Sequence, residues 1–450
     1  MPEVAQVGFD LEQVQRSGEP ESAVQRGHHS VHETKAWHCM SNTQSIPLHP
    51  SPAQELEKSR PAEQDESLAT DYVDDEDTGP GEMGVKPWDP SKIRITTKNF
   101  SLRDVVDQIA EREIDLAPDF QRDYVWKRRQ RTRLIESILL GIPLPAFYFN
   151  QDSEGKYQVV DGVQRLSTIS LFMNDGHVLD AIDLEYLQGL HGLKYSELEP
   201  AALRRFRSTQ IVVHVIEPQT PDAVKYDIFG RVNTLGSPLS AQEIRHAMSK
   251  ARSRQFLKQL AELEIFDKAT GWHYWRRDPE SKGLWIRDSG RMTNRELALR
   301  FCAFFGYSDA EYRKHQSLDV FLVEFTRRLD GNTQSGAALT DSERANLSGL
   351  FEQAMINAHE VLGQAAFRRW PAEQVRRGPI NRAVFESQAI ALAPYSLDQL
   401  MDRKDLIVDG FRALFNDVDY AKAVTEGTGN PNAVETRLSR TRTVLAELLK

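Results

Sequence analysis

Lys156-Tyr157-Gln158-Val159-Val160-Asp161-Gly162-Val163-Gln164-Arg165-Leu166-Ser167 is the stretch on which the fold turns. Residues 156–160 follow the turn-forming Asp152-Ser153-Glu154-Gly155 and read as a short strand, rich in β-branched and aromatic side chains. After Gly162 the period changes. Leu166, Ile169, Phe172 and Met173 make one apolar helical stripe and leave Gln164 and Arg165 in the first turn, beside unpaired backbone N–H groups. An anion there would meet the positive end of a helix and a guanidinium able to grip two oxygens. The competing reading is a plain strand-to-helix turn, with Asp161 capping the helix and Arg165 in solvent.

Upstream lie Pro118-Asp119-Phe120-Gln121-Arg122-Asp123-Tyr124-Val125-Trp126, a helix over about 127–140 carrying Leu134-Ile135-Glu136-Ser137-Ile138-Leu139, and Gly141-Ile142-Pro143-Leu144-Pro145. Downstream come Phe229-Gly230-Arg231-Val232-Asn233-Thr234 leading to Leu239-Ser240, and Asn294-Arg295-Glu296-Leu297-Ala298-Leu299-Arg300-Phe301. In this order the blocks resemble the N-terminal domain family of the GmrSD-type, modification-dependent restriction endonucleases, related to the ParB and sulfiredoxin-like fold. The resemblance is strong over 92–305, weak to about 392, and ends there. It implies an α/β (α+β) ParB/sulfiredoxin-like N-terminal domain followed by an α-helical domain.

The family's turn reads Asp-Gly-Gln-Gln-Arg, whereas this chain has Val163 at the third position and lacks one polar contact. What the resemblance implies is nucleotide binding and hydrolysis. Asp161 would be the catalytic group, holding a metal or placing water. Gly162, Gln164 and Arg165 would bind the nucleotide with Gln121, Arg122, Arg231 and Asn233. The cofactor would be a nucleoside triphosphate, GTP or ATP, with Mg2+ as candidate metal and its ligands unassigned. Arg165→Ala is expected to weaken triphosphate binding without unfolding the protein. For Arg122 the alternative is pairing with Asp119 or Asp123, and for Arg231 and Asn233 a structural role.

Charge is uneven along the 450 residues. Residues 1–90 hold 6 Lys+Arg against 18 Asp+Glu, and the rest is nearly balanced at 50 against 48, within a formal net charge of −10. The first 88 residues read as a disordered acidic tail ending in Asp71-Tyr72-Val73-Asp74-Asp75-Glu76-Asp77. That run could imitate nucleic acid or shield a basic site, or simply keep the chain soluble. His28, His29, His32, His38 and Cys39 lack metal-site spacing. Two cysteines, Cys39 and Cys302, make no disulfide framework and suggest a reducing compartment. With no apolar run of membrane length and no signal pattern, a cytoplasmic protein without a membrane partner is expected.

The folded part is expected as a nucleotide-binding domain over 89–238 and a helical domain over 239–450. A strand over 92–98 precedes a helix capped by Ser101, and Phe147-Tyr148-Phe149 forms another strand. Ile211-Val212-Val213-His214-Val215-Ile216 reads as a central strand buried on both faces, followed by a helix from about Asp222. Capping boxes are expected at Ser240/Glu243, Thr293/Glu296, Thr340/Glu343 and Ser396/Gln399, and the first of these removes Glu243 from acid-base chemistry. Arg128, Arg129, Arg131 and Arg133 line one helix, either tracking phosphates or facing solvent. Gly271-Trp272-His273-Tyr274-Trp275-Arg276-Arg277 with Trp285 and Arg287 suits either an extruded base or a loop anchored by buried Trp.

Between 310 and 450 there is no Asp-His or His-Asn-His pattern with ligand-like spacing, so DNA cleavage in cis is not expected. The leading expectation is a nucleotide-binding, NTP-hydrolysing DNA-processing or anti-phage defence protein, with DNA as partner. A nuclease acting in trans and a homo-oligomer stay open. The alternatives are a non-catalytic ParB-like DNA-binding or scaffolding module, and an adaptor that keeps the fold without a ligand.

Overall fold

The computed structural model describes residue 73 and residues 89–116, 126–232, 239–277, 284–289, 291–305, 309–315, 317–331 and 337–450, all within the unit Pro52–Lys450. Gln121, Arg122, Asn233, His28, His29, His32, His38 and Cys39 lie outside them. The first half runs β1 (Ile95–Ser101), α1 (Leu102–Ala110), β2 (Ile114–Asp115), α2 (Arg128–Leu140), β3 (Phe147–Gln151), β4 (Tyr157–Asp161), α3 (Val163–Met173), α4 (Pro200–Ser208), β5 (Gln210–Ile216) and α5 (Asp222–Val232). The rest is mainly helical: α6 (Ala241–Ala247), α7 (Ala251–Ala261), α8 (Glu264–Ala269), the hairpin β6 (Trp275–Arg277) and β7 (Trp285–Arg287), and α9 (Thr293–Phe305). Then follow α10 (Asp309–Tyr312), α11 (Leu318–Leu329), α12 (Asp341–Asn357), α13 (Arg382–Leu392), α14 (Leu397–Met401), α15 (Lys404–Ala413), α16 (Val418–Ala423) and α17 (Pro431–Leu448).

Local chemistry sets the first elements. Ser101 Oγ accepts from the Asp104 N–H at 3.1 Å and starts α1, although β1 begins later than expected, at Ile95. Asp152 Oδ1 accepts from the N–H groups of Glu154 and Lys156, both at 2.9 Å, and closes the β3–β4 hairpin. These strands join a five-stranded sheet of order β1-β5-β3-β4-β2. The β1/β5 and β3/β4 pairs are antiparallel, while β5/β3 and β2/β4 are parallel.

One face is covered by α1, α2 and α3. Val105, Ile135, Ile138, Leu166, Ile169 and Phe172 pack with Phe147, Phe149, Val159 and Val213, each fully buried side chain stabilising by about 2 kcal/mol. A smaller cluster joins Val160 and Ile216 to Phe229 of α5, Ile244 and Ala247 of α6, and Met292. This limited cover corrects the reading of β5. The strand is interior by pairing, but Val212 is 41% exposed and His214 half-buried, because α5 and α6 cap only one end of the second face.

The Asn294-to-Phe301 block lies in α9, where Asn294, Arg295, Glu296 and Arg300 are all buried. Glu296 does not form the expected box with Thr293. Its carboxylate takes Arg300 at 2.9 Å, with Arg245 and Arg382 each at 3.3 Å. Arg245 also meets Asp319 at 2.5 Å, Arg300 lies 3.8 Å from Glu386, and Glu386 pairs with Arg437 of α17. The other boxes form as expected, with Glu243, Glu343 and Gln399 accepting from the backbone N–H groups of Ser240, Thr340 and Ser396.

Val73 falls inside the segment expected as tail, yet it forms a parallel bridge to Ile380 and packs against the helical core.

Burial alone would raise the Glu296 carboxyl, but Arg300, Arg382 and Arg245 outweigh it and hold it down at about 2, from an ordinary 4.5. A carboxylate held low contributes stability present above pH 4.5 and lost as pH falls toward 2. We expect this group to cost the wild type about 3 kcal/mol over that window. In urea titrations Glu296→Gln should start less stable at neutral pH and fall less steeply in acid. An unchanged acid slope would place the acid-sensitive group elsewhere.

Candidate functional site

The turn after β4 is built around Gly162, whose φ of +98° favours glycine and which starts α3 without a side-chain cap. A Cβ there would lie 2.2 Å from Phe147 Cδ1 and 3.2 Å from Arg165 Nη2, so glycine is required twice over. Asp161 is not the cap. Its Oδ2 accepts from Arg165 Nη2 at 2.9 Å.

Arg165 is held on every side. Nη2 also donates to the Ala146 carbonyl at 3.2 Å and Nη1 to the Pro145 carbonyl, while the guanidinium lies 4.1 Å from the Phe147 ring centroid. The side chain is 12% exposed. Burial pushes its pKa below the ordinary arginine value, and Asp161 opposes that shift. Neither sequence reading foresaw this arrangement. The guanidinium is neither in solvent nor open toward a ligand; it staples the Gly-Ile-Pro-Leu-Pro turn to the Asp-Gly turn, and an anion would have to compete with partners already in place. Gln164 stands beside it in the first turn, its carbonyl accepting from Thr168 Oγ1 at 2.7 Å. Arg231 is exposed in the last turn of α5.

Beside this turn opens a cavity of about 840 Å³, walled by α1, β2, the β3–β4 hairpin, α3 and the chain from Met248 to Arg254. Ile109, Ile114, Leu116, Tyr157, Val163 and Met248 supply its apolar side; Arg112, Lys156, Lys250 and Arg254 supply cations. Of the motif, Val163 and Ser167 reach the wall, while Asp161, Gly162, Gln164, Arg165 and Arg231 do not line it. Val163 had been the one motif position without an assigned role. Its apolar character was the available signal, but the cations come from three separate segments, only Lys250 and Arg254 being neighbours at the start of α7, and could not be grouped from sequence.

Charges on the wall are linked. Arg254 donates to Asp115 at 2.7 Å and to the Ser249 carbonyl at 2.8 Å, whereas Lys156 and Lys250 lie 3.4 and 3.6 Å from Glu154. The Glu154 carboxyl is lowered chiefly by its hydrogen bond from Lys156. Lys225 of α5 is buried, and desolvation takes it down to about 8 against the opposing charge of Asp152, a wall residue. Asn150 Oδ1, also on the wall, is buried without a hydrogen-bond partner. Among the described residues no group of three or more His, Cys, Asp or Glu side chains is placed to hold a metal.

Two other expectations are placed by the structure. On α2, Arg128 pairs with Asp180 at 2.7 Å and Arg133 with Glu185 at 3.4 Å, so part of the basic face is internally neutralised. In the aromatic segment Trp272 and Tyr274 are buried, Arg277 and Arg287 lie over Trp285 and Trp275, and Arg287 also grips Asp267 at 2.6 and 3.0 Å. Burial raises that Asp267 carboxyl to about 6. These contacts suit anchoring of the β6–β7 hairpin.

A mixed sheet with helices stacked on one face and an Asp-Gly-x-Gln-Arg strand-to-helix turn defines the class of domain. Residues 102–249 match the family model described as the GmrSD restriction endonuclease, N-terminal domain, so this part of the chain is a GmrSD-type N-terminal domain. The match spans roughly a third of the chain and runs past residue 238 through α6. No curated protein matches the chain. No helix among the described residues is long and apolar enough to cross a membrane.

Because the Arg165 partners are internal, Arg165→Ala should lower stability by about 2–4 kcal/mol in urea denaturation, leaving a carboxylate and two carbonyls unpaired. Gly162→Ala should cost a similar amount through positive φ and overlap with Phe147. An Arg165→Ala variant as stable as the wild type would return the guanidinium to a ligand-binding role.

Proposed function

We propose that this chain is a nucleotide-binding protein of restriction-related defence, with its nucleoside triphosphate in the cavity beside α3. The observation that carries this reading is the cavity wall itself. An apolar side formed by Ile109, Ile114, Leu116, Tyr157, Val163 and Met248 faces the same space as Arg112, Lys156 and Lys250. A ligand that is flat and apolar at one end and polyanionic at the other uses both, and about 840 Å³ lies within the usual range for small-molecule sites. Asp161, Gly162 and Arg165 then act as positioning residues that fix the start of α3, rather than as direct phosphate ligands. Mg2+ bound with a triphosphate needs only one or two protein carboxylates, and Asp152 and Glu154 are on the wall.

Hydrolysis is the finer part of the proposal; because Asp161 is paired with Arg165 and does not line the cavity, the wall carboxylates Asp152 and Glu154 are the candidate groups for water or metal, and DNA is the proposed macromolecular partner. The non-catalytic ParB-like module is the competing reading. It is favoured by one observation, the commitment of Arg165 to Asp161 and two carbonyls.

Calorimetry with ATP and GTP, with and without magnesium, tests the binding. Lys156→Ala combined with Arg112→Ala should weaken triphosphate affinity by roughly 10- to 100-fold, following about 1.5–3 kcal/mol for hydrogen bonds to charged groups. Melting temperature should hold, since both side chains are exposed. No triphosphate binding by the wild type would remove the proposal. Binding without turnover, with and without DNA, would leave the cavity reading and replace the enzyme by the non-catalytic module.

A further inference from the structure

The cavity beside α3 also carries a row of polar side chains from three neighbouring strands. Asn150 of β3 stands opposite Gln158 of β4, and Gln158 opposite Asp115 of β2. Residues paired directly across strands share a face of the sheet, so the three form one row, and all three line the cavity. The start of α7 closes over it. Arg254 donates from Nη1 to Asp115 Oδ2 at 2.7 Å and from Nη2 to the Ser249 carbonyl at 2.8 Å, and the same carbonyl accepts from Gln158 Nε2 at 3.4 Å.

Two buried atoms of this group have no hydrogen-bond partner among the described residues, the acceptor Asn150 Oδ1 and the donor Arg254 Nε. Buried polar atoms are seldom left so. A carbonyl oxygen only accepts and a guanidinium N–H only donates, so a phosphate would satisfy Arg254 alone and a cation Asn150 alone. A neutral planar group with an N–H donor beside a lone-pair acceptor satisfies both, and the edge of a nucleobase is such a group. The charges agree with this division. The Arg254 side chain is 11% exposed and balanced by Asp115, whereas Arg112, Lys156 and Lys250 are exposed on the same wall and suit a polyanion.

We propose that Asn150 and Arg254 read the hydrogen-bonding edge of the nucleobase, Asn150 Oδ1 accepting its N–H and Arg254 Nε donating to the neighbouring ring nitrogen or carbonyl oxygen. Gln158 and Asp115 hold the two in place. The proposal rests on the nucleoside triphosphate reading of the cavity and assigns the determinant of base selectivity within it. Because Arg254 is fixed by its two other partners, the site distinguishes a base from the counterpart in which donor and acceptor are exchanged. ATP and ITP are such a pair among purines, amino against oxo at one edge, and CTP and UTP among pyrimidines.

Calorimetry of the full chain tests this with those four nucleotides, their 2′-deoxy forms and inorganic tripolyphosphate, which offers the charges without a base. The wild type should separate the members of at least one pair by about tenfold. Asn150→Leu, close in shape but unable to accept, should abolish that separation, weaken the preferred nucleotide by roughly 10- to 100-fold and leave tripolyphosphate affinity unchanged. Lys156→Ala should weaken nucleotide and tripolyphosphate alike. Equal affinities within both wild-type pairs would overturn the proposal while leaving the cavity as a triphosphate site, and that comparison needs no variant to fold. A loss in Asn150→Leu that tripolyphosphate shares would also overturn it, by placing Asn150 with the phosphates or the fold. A loss that vanishes with the 2′-deoxy forms would overturn it in favour of the ribose. Absence of both nucleotide and tripolyphosphate binding would remove the cavity reading itself, and this assignment with it.

Discussion

The guanidinium of Arg165 connects segments that the sequence keeps apart. One side chain from the first turn of α3 satisfies the carbonyls of Pro145 and Ala146 before β3, the carboxylate of Asp161 at the end of β4, and the ring of Phe147 in β3. That arrangement exists only because position 162 has no side chain, since any Cβ would meet Phe147. Glycine, arginine, aspartate and the proline-bounded turn therefore form one physical unit, although the Pro145 carbonyl lies twenty residues from Arg165. The position of α3 follows from this unit, and with it Val163 and Ser167 on the cavity wall.

The helical part is organised by a different force. Arg245, Glu296, Arg300, Glu386 and Arg437 are almost wholly buried and alternate in sign from α6 through α9 and α13 to α17. Such a chain is a poor way to gain stability, because desolvating each ion costs several kcal/mol before pairing returns it. What it does supply is register. Apolar faces could slide by a turn at modest cost, whereas a displaced arginine would leave a buried carboxylate unpaired. Since Arg245 sits in the segment matched to the family and Arg437 in the last helix, this chain of ions ties the matched segment to the far end of the protein.

Legibility in the sequence followed the range of the interactions. The Asp152 turn, the Ser101 cap, the Ser240, Thr340 and Ser396 boxes and the stripe of α3 each depend on residues within a few positions of one another, and each forms as read. Glu296 was misread because a capping box and a buried ion cluster use the same residue types; only the approach of Arg382 and Arg245 from distant helices decides between them. The exposure of Val212 depends on how far α5 and α6 reach across the sheet, which no apolar run discloses. The cavity was least legible of all. Arg112, Lys156 and the pair Lys250 and Arg254 at the start of α7 come from three separate segments and are brought together only by the fold.

The same reasoning changes how the motif is understood. A turn of the form Asp-Gly-x-Gln-Arg invites a phosphate at a helix N-terminus, because three of its five residues have the right chemistry. Here the arginine and the aspartate satisfy one another, and the position facing the cavity is the third one, filled by Val163. A polar side chain there would put a hydrogen-bonding group on the wall, whereas valine makes that wall apolar. A change of side chain at the third position therefore alters the cavity wall, while the flanking aspartate, glycine and arginine act on the backbone that presents it.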